Sequence, residues 1–337
     1  MKLIIQIPCL NEAQTLAIAL ADLPKSIPGI DTIEVLIIDD GSRDETVSVA
    51  RQNGVQHVVG FRQNQGLAKA FMLGIESCLE RGADIIVNTD ADNQYNGADI
   101  EQLVRPILEG RADLVIGARP IENIEHFSPI KKLLQRLGSS VVRIVSGTTV
   151  TDAPSGFRAI SREVALTLNV FSAYTYTLET IIQAGQKNLT VVSVPIRVNG
   201  DLRPSRLVRS ITSYVQRSIV TMCRIFIVYK PLRFFLTMSV APLASGTVIA
   251  GRFLYYYFTG NGSGHVQSLI FAAVLLIVGF LIFLLAIIAD LLSVNRRLLE
   301  DLQQKERRRA IAEKSARFEL GSLARSEREH AGTVRPH

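Results

Sequence analysis

Two unbroken apolar blocks near the C-terminal end constrain this chain more than any other feature. Phe234 to Gly251 runs eighteen residues without a charge, and Val266 to Ala289 runs twenty-four. A hydrocarbon core roughly 30 Å thick takes about twenty apolar residues of helix to cross, so both blocks are expected to be transmembrane helices. A buried hairpin in a soluble core is disfavoured by their length. Between them, Thr259-Gly260-Asn261-Gly262-Ser263-Gly264-His265 is a polar turn without Lys or Arg, whereas Lys230 and Arg233 precede the first block and Arg296 and Arg297 follow the second. The positive-inside rule then puts both outer flanks in the cytoplasm. Arg252 lies near the outer end of its block, where a long side chain can snorkel to the interface.

The charge distribution agrees with a membrane. The net charge is +6, and the basic residues concentrate after Asp201, beside the apolar blocks. An anionic lipid surface therefore fits better than nucleic acid. At 100° per residue, Arg206, Arg209, Arg217 and Arg224 fall within about 80° of one another, while Leu207, Ile211, Val215, Met222 and Phe226 fall on the other side. This pattern predicts a helix in the headgroup region. The alternative is an apolar face packed on the globular domain or on a sister subunit, which keeps a homo-oligomer open. Residues 296–337 carry charges of both signs, with Lys305, Arg307, Arg308 and Arg309 near their start, and read as a solvated helix fraying into a tail.

Before Gly200 the pattern changes to short apolar runs broken by Gly, Pro, Asn and Asp. Leu3 to Ile7, Glu34 to Ile38 and Ile85 to Asn88 read as strands, each followed by a helix-period segment: Glu12 to Leu23, Asp44 to Gln52 and Asp99 to Glu109. Such βαβ alternation implies an α/β domain with a mainly parallel sheet. The expected organisation is a nucleotide-binding domain over 1–203, juxtamembrane amphipathic helices over 204–232, two spans over 233–295 and a charged tail over 296–337. Cys9, Cys78 and Cys223 are odd in number and in no metal-ligand spacing, which fits a reducing compartment. The apolar run before Pro8 is too short for a signal-peptide core.

In open parallel sheets, ligands bind beyond the carboxyl ends of the strands, and the polar residues gather there. Asp90-Ala91-Asp92-Asn93-Gln94 sets two carboxylates on alternate residues past one strand. Hard divalent cations such as Mg²⁺ or Mn²⁺ take oxygen ligands of this kind and bridge to phosphates, although an Asp at a strand end also simply caps a helix. Asp39-Asp40-Gly41-Ser42 closes the second strand, where an acid can accept hydrogen bonds from a ribose or base or merely serve a turn. Asn11 and Glu12 fit a ligand site or a helix start, and Lys69 fits a nucleotide contact or a solvated face. Neither a P-loop nor a G-x-G-x-x-G fingerprint follows the first strand.

Ile7-Pro8-Cys9-Leu10-Asn11-Glu12, Asp39-Asp40-Gly41-Ser42, Asn64-Gln65-Gly66-Leu67-Ala68 and Asp90-Ala91-Asp92 occur in the order and spacing of family 2 glycosyltransferases with the GT-A fold. Asp152-Ala153-Pro154-Ser155-Gly156-Phe157-Arg158 and Arg203-Pro204-Ser205-Arg206-Leu207 resemble the dolichyl- and polyprenyl-phosphate sugar synthases among them, and the two spans resemble bacterial members acting on undecaprenyl phosphate. This resemblance implies transfer of a sugar from a UDP- or GDP-sugar to a polyprenyl phosphate at the cytoplasmic face of the cell membrane, with UDP donors favoured. By the same resemblance, Pro8, Asn11, Glu12 and Asp39 line the base and ribose pocket, with Asp40, Lys69 and Ala91 among the donor-binding positions. Asp90, Asp92 and Gln94 hold the metal and the donor diphosphate. Arg119 takes the acceptor phosphate, with Lys131 or Lys132 as a second basic position. Asp152 and Arg158 shape the acceptor loop, Glu179 is the acidic residue on the following helix, and Arg203 and Arg206 close over the phosphates.

The chemistry is consistent with those residue types. A phosphate monoester has a second pKa near 6 and is already an anionic nucleophile at neutral pH, so no strong general base is required. A processive polysaccharide synthase shares the early motifs but carries a Trp signature, and this chain has no tryptophan. A nucleotidyltransferase and a non-catalytic nucleotide-sugar-binding membrane protein are the other readings.

Overall fold

The computed structural model describes residues 1–120, 129–170, 176–200, 211–260 and 266–332. It divides into two compact units, Met1–Val215 with Leu302–His337, and Gln216–Asp301. The first unit is built on a seven-stranded sheet. Its strands are β1 (Lys2–Cys9), β2 (Thr32–Asp39), β3 (His57–Gly60), β4 (Ile85–Asn88), β5 (Leu114–Ala118), β6 (Arg158–Ser161) and β7 (Val191–Pro195). They lie in the order β3-β2-β1-β4-β6-β5-β7. All neighbours are parallel except β6, which runs antiparallel to β4 and β5. The ends of β1, β2 and β4 therefore open on one edge, as the βαβ pattern predicts.

Alternation along β1 explains the two layers. Leu3, Ile5 and Ile7 face a core shared with Ile37, Val87, Leu103 and Val104. They pack there against α1 (Leu16–Ala21) and α4 (Ile100–Leu108). The opposite face, with Gln6 and Ile38, takes α3 (Leu67–Glu80) so closely that a Cβ on Gly74 would lie 2.4 Å from the Gln6 amide oxygen. Each of these fully buried aliphatic side chains stabilises by roughly 1.5–3 kcal/mol. The remaining helices are α2 (Thr46–Gln52), α5 (Pro129–Ser146), α6 (Arg162–Thr167) and α7 (Thr177–Gln186) in this unit, followed by α8 (Ile211–Tyr229), α9 (Pro231–Phe258) and α10 (Val266–Gly332).

In α9 and α10, Pro231–Phe258 and Val266–Ile311 are long and apolar enough to cross a membrane. They approach through small residues, since a Cβ on Gly246 would lie 2.9 Å from Leu276 and one on Gly279 would lie 2.6 Å from Leu243. Close glycine contacts of this kind favour helix pairing where no hydrophobic drive exists between the helices. Arg206 and Arg209 of the expected basic stripe lie outside the described residues, and α8 begins after them.

The stretch read as a solvated helix fraying into a tail has contacts near its start that the sequence does not announce. It is helical through Gly332, and from Leu302 it belongs to the first unit. Gln303 accepts from the Asn169 side chain and Gln304 from the Lys187 ammonium, both over distances of 2.8–2.9 Å. Arg307 donates to the Leu168 carbonyl and pairs with Glu76, and Arg308 pairs with Glu163. Of the cations that sequence assigns to solvent, Arg307 and Arg308 thus find carbonyls and carboxylates on α3, α6 and the turn beyond α6, while Lys305 and Arg309 are exposed.

Candidate active site

The loop after β1 is tied to the loop after β2. Asn11 adopts a left-handed backbone (φ 55°), a conformation Asn tolerates. Its N–H donates to Ser42 Oγ (2.9 Å) and its side-chain oxygen accepts from Arg43 N–H (2.8 Å). Glu12 N–H donates to Thr46 Oγ1 (2.9 Å), and its carboxylate accepts from the Thr15 hydroxyl (3.1 Å). Pro8 is partly exposed at the end of β1, in register with Ile38. The two aspartates after β2 have different roles. Asp39 accepts from Ser42 N–H and is half-buried, whereas Asp40 is buried with its two oxygens held by Gln65 and Gly66 N–H at 2.7 and 3.0 Å. Asp40 therefore fastens the Asn64-Gln65-Gly66 turn. Gly41 is required between them, because its φ is +80° and a Cβ would lie 2.7 Å from the Gln63 backbone. Lys69 is exposed on α3 and donates to Gln65 (3.1 Å).

Past β4, Ala91 is buried, Asp90 and Asp92 are half-buried, and Asp92 accepts from Gln94 N–H (3.1 Å) across the left-handed Asn93. Burial and the Asp92 charge push the Asp90 carboxyl up to about 7, against the pull of Arg119 and Arg158. Burial, followed by Glu12, Asp39, Asp44 and Asp90, likewise holds the Cys9 thiol well above its ordinary range. Acidic groups from three strand ends thus converge and leave a local demand for positive charge. Among the described residues no three His, Cys, Asp or Glu side chains form a metal-binding group. Asp90 and Asp92, with Gln94 beside them, offer side-chain oxygens at this edge. Such a set fits a hard divalent cation that keeps waters and substrate phosphates as its other ligands.

The floor beneath Asp90 is a buried polar chain that sequence reasoning missed. Gln6 donates to Asn88 (2.9 Å), and Asn88 donates to the Gly156 carbonyl and the Tyr176 hydroxyl, both at 2.9 Å. Gly156 N–H donates to the Tyr95 hydroxyl (3.2 Å). A Cβ on Gly156 would lie 3.2 Å from both Asp90 oxygens and 3.0 Å from Tyr176 Oη, so Pro154-Ser155-Gly156 forms a wall against the carboxylate. Tyr95 stacks on Phe157 and Tyr176 on Phe71. The sequence signal for this floor was Asn88, a polar residue inside an apolar strand.

Arg158, expected at the acceptor loop, is fully buried. It donates to the Ser155 and Thr177 carbonyls and the Thr180 hydroxyl, and sits 5.3 Å from the Tyr176 ring centre. Its geometry makes it a strut that positions the wall. Glu179 is partly buried in the first turn of α7, and that helix is linked to the Asp90 floor through the adjoining Tyr176. Arg119 and Asp152 are brought together. The Arg119 guanidinium grips Asp152 through Nε (2.7 Å) and a terminal nitrogen (3.0 Å), and its backbone N–H adds a third bond (3.2 Å). Burial opposes the Arg119 charge, but Asp152 and Asp90 outweigh it.

Asn199, also missed, straps the loop after β4 from the other side. Its N–H donates to the Gln94 carbonyl (2.9 Å) and its side chain to the Asn93 carbonyl (3.1 Å), with Arg197 anchored on buried Asp99. Arg203 and Arg206 follow this strap but lie outside the described residues, as do the side chains of Lys131 and Lys132.

A mainly parallel sheet with alternate carboxylates past a central strand, backed by a buried arginine pair, defines a GT-A-like sugar transferase fold. Comparison with known proteins agrees. The Glycosyl transferase family 2 model matches residues 4–168. A UDP-N-acetylglucosamine–dolichyl-phosphate N-acetylglucosaminyltransferase of Methanococcus voltae is 30% identical over 185 residues, 48% of this chain and 73% of that protein. An undecaprenyl-phosphate mannosyltransferase of Micrococcus luteus is 29% identical over 206 residues, 58% of this chain and 83% of that one. Among solved structures, glucosyl-3-phosphoglycerate synthase from Mycobacterium tuberculosis superposes with a TM-score of 0.53 at 22% identity, over 67% of this chain and 79% of that one. The same enzyme is also solved in complex with Mn²⁺ and UDP. The chain belongs to glycosyl transferase family 2 and is a glycosyltransferase.

Proposed function

We propose that this enzyme transfers a sugar from a nucleoside-diphosphate sugar, UDP-linked or GDP-linked, to a polyprenyl phosphate at the cytoplasmic face of a membrane, with inversion at the anomeric carbon. The observation that carries the reading is the electrostatic meeting of the Asp90–Asp92 pair with Arg119 and its partner Asp152. Anionic groups that demand a cation stand beside a cation held in fixed orientation, as two phosphate-bearing substrates require. The polyprenyl acceptor is supported by the names of the relatives and by the two helices apt for crossing a bilayer.

In this reading Asp90 and Asp92, with Gln94, hold Mg²⁺ or Mn²⁺, which when bound offsets charge growing on the leaving nucleoside diphosphate. Pro8, Asn11, Glu12 and Asp39 bind the base and ribose at the ends of β1 and β2. Arg119, kept in place by Asp152, orients the lipid phosphate. The problem to be solved is repulsion: two unit charges 4 Å apart at an effective dielectric of 20 repel by about 4 kcal/mol. The lipid phosphate oxygen attacks the anomeric carbon as the bond to the diphosphate breaks, through an oxocarbenium-like state. The phosphate is already ionised, so no residue has to remove a proton. Arg203 follows Asn199 by four residues, a reach of at most about 14 Å of extended chain from the metal loop, which suits a role for Arg203 and Arg206 over the phosphates.

The test is incubation of membranes carrying the enzyme with polyprenyl phosphate and a panel of UDP- and GDP-sugars. One donor should yield a glycolipid in a reaction lost in EDTA and restored by Mg²⁺ or Mn²⁺. Metal-independent turnover, or no turnover with any donor, refutes the proposal.

A further inference from the structure

The helix α5 has two apolar faces, one buried and one exposed. Its inner side, with Ser139, Val142, Val145 and Ser146, is buried and packs on α7. On the opposite side Leu133, Leu137 and Ile144 are 57%, 47% and 61% exposed. At 100° per residue these three share an arc of about 40°, roughly opposite Val142, with Arg136 and Arg143 about 60–80° to one side. Arg136 and Arg143 are themselves exposed, and Arg143 lies along the helix surface, donating to Ser140 (2.8 Å). The eighteen residues of α5 include Lys131, Lys132, Arg136 and Arg143 but no Asp or Glu.

We propose that this outer face of α5 is a membrane-contact surface, with Leu133, Leu137 and Ile144 seated among the headgroups of an anionic bilayer and Arg136 and Arg143 against the lipid phosphates. An apolar stripe bordered by arginines, on a helix without acids, has the charge and hydrophobicity that such an interface selects. A second copy of the chain fits poorly. A two-fold contact sets the same patch against itself, which would oppose two arginine rows with no carboxylate on either helix. A lone exposed apolar residue calls for no explanation, but a contiguous stripe does. The inference concerns where the catalytic unit touches lipid and does not depend on the identity of donor or acceptor. In chain order α5 begins ten residues after Arg119, so the proposed lipid surface and the strand end that carries Arg119 are near neighbours in sequence.

The test uses the full chain in phosphatidylcholine vesicles with or without phosphatidylglycerol. Cys9 and Cys78 are buried and Cys223 is exposed, so a Cys223→Ser background leaves an introduced cysteine as the reactive thiol. An environment-sensitive fluorophore is placed at Leu137→Cys or Ile144→Cys, and for comparison at Ile18→Cys, an exposed apolar position on α1. The expected result is blue-shifted emission and several-fold stronger quenching by spin-labelled lipid at 137 and 144 than at 18, with the quenching increased by phosphatidylglycerol. In the pair Arg136→Glu and Arg143→Glu, that increase should disappear. Quenching at 137 and 144 no greater than at 18 overturns the proposal, as does spontaneous disulfide formation between copies of the Leu137→Cys chain. Insensitivity to both phosphatidylglycerol and the charge reversal overturns the anionic partner.

Discussion

The contact between Arg119 and Asp152 makes a quantitative demand on the variant Asp152→Asn. The side chains are 9% and 1% exposed, and three hydrogen bonds enter the one carboxylate. Asparagine keeps the shape but replaces one acceptor oxygen with an NH₂ group facing N–H donors. It thereby leaves a buried guanidinium without its counter-charge. Breaking a buried pair by removing one partner costs about 3–5 kcal/mol, consistent with about 1.5–3 kcal/mol for each of two charge-assisted bonds. For a domain of this size that corresponds to a fall in Tm of roughly 6–20 °C. The assay is thermal unfolding of the detergent-solubilised chain in a Cys223→Ser background, followed by a thiol-reactive dye that reports exposure of Cys9 and Cys78. The paired variant Arg119→Met with Asp152→Leu should lose much less than the sum of the single changes, because it removes both charges together. A Tm for Asp152→Asn within about 2 °C of the parent, less than about 1 kcal/mol, would refute the sealed pair.

Three further outcomes follow from the same geometry. Asp92→Ala should abolish transfer while the protein still inserts into membranes, since Asp92 belongs to the loop after β4; retained activity would remove it from the metal site. Gly156→Ala places a methyl group 3.2 Å from both Asp90 oxygens, and an overpacking cost of about 1.4 kcal/mol should weaken Mn²⁺ binding about tenfold by electron paramagnetic resonance. Burial opposes the ionisation of Glu34, but bonds to Lys2 and His57 prevail and hold its carboxyl below its ordinary range. A depressed carboxylate contributes stability above its unfolded pKa and loses it as the pH falls through the folded value. Glu34→Gln should therefore be less stable than the parent by about 1 kcal/mol near neutrality, and the difference should close in acid below the usual carboxylate range. A gap that persists there would contradict the ion pair.

Much of this domain was readable because strand ends announce themselves chemically. The apolar runs of β1, β2 and β4 stop at Pro8, Asp39 and Asn88, and the α/β order and the shared edge follow from that punctuation. Four strands were not assigned. His57–Gly60 and Arg158–Ser161 are only four residues long, and a strand that starts with a buried arginine gives no apolar signal. Individual roles were harder to read than positions. Asp39 and Asp40 are neighbours in sequence, but only the fold shows that Asp40 is spent on the Asn64-Gln65-Gly66 turn. The partnership of Arg119 with Asp152 spans 33 residues, and Tyr176, Asn199 and Gly156 act through contacts that no local pattern encodes. Arg307 and Arg308 misled for a related reason: a charge run is solvated only if no carboxylate or carbonyl lies within reach.

The central claim is glycosyl transfer to a lipid phosphate, and a product balance on the purified enzyme addresses it most directly. Donor and polyprenyl phosphate should give nucleoside diphosphate and lipid-phosphate-linked sugar in equal amounts, with inverted anomeric configuration. Release of free inorganic diphosphate, or of nucleoside diphosphate without any lipid-linked sugar, would contradict it.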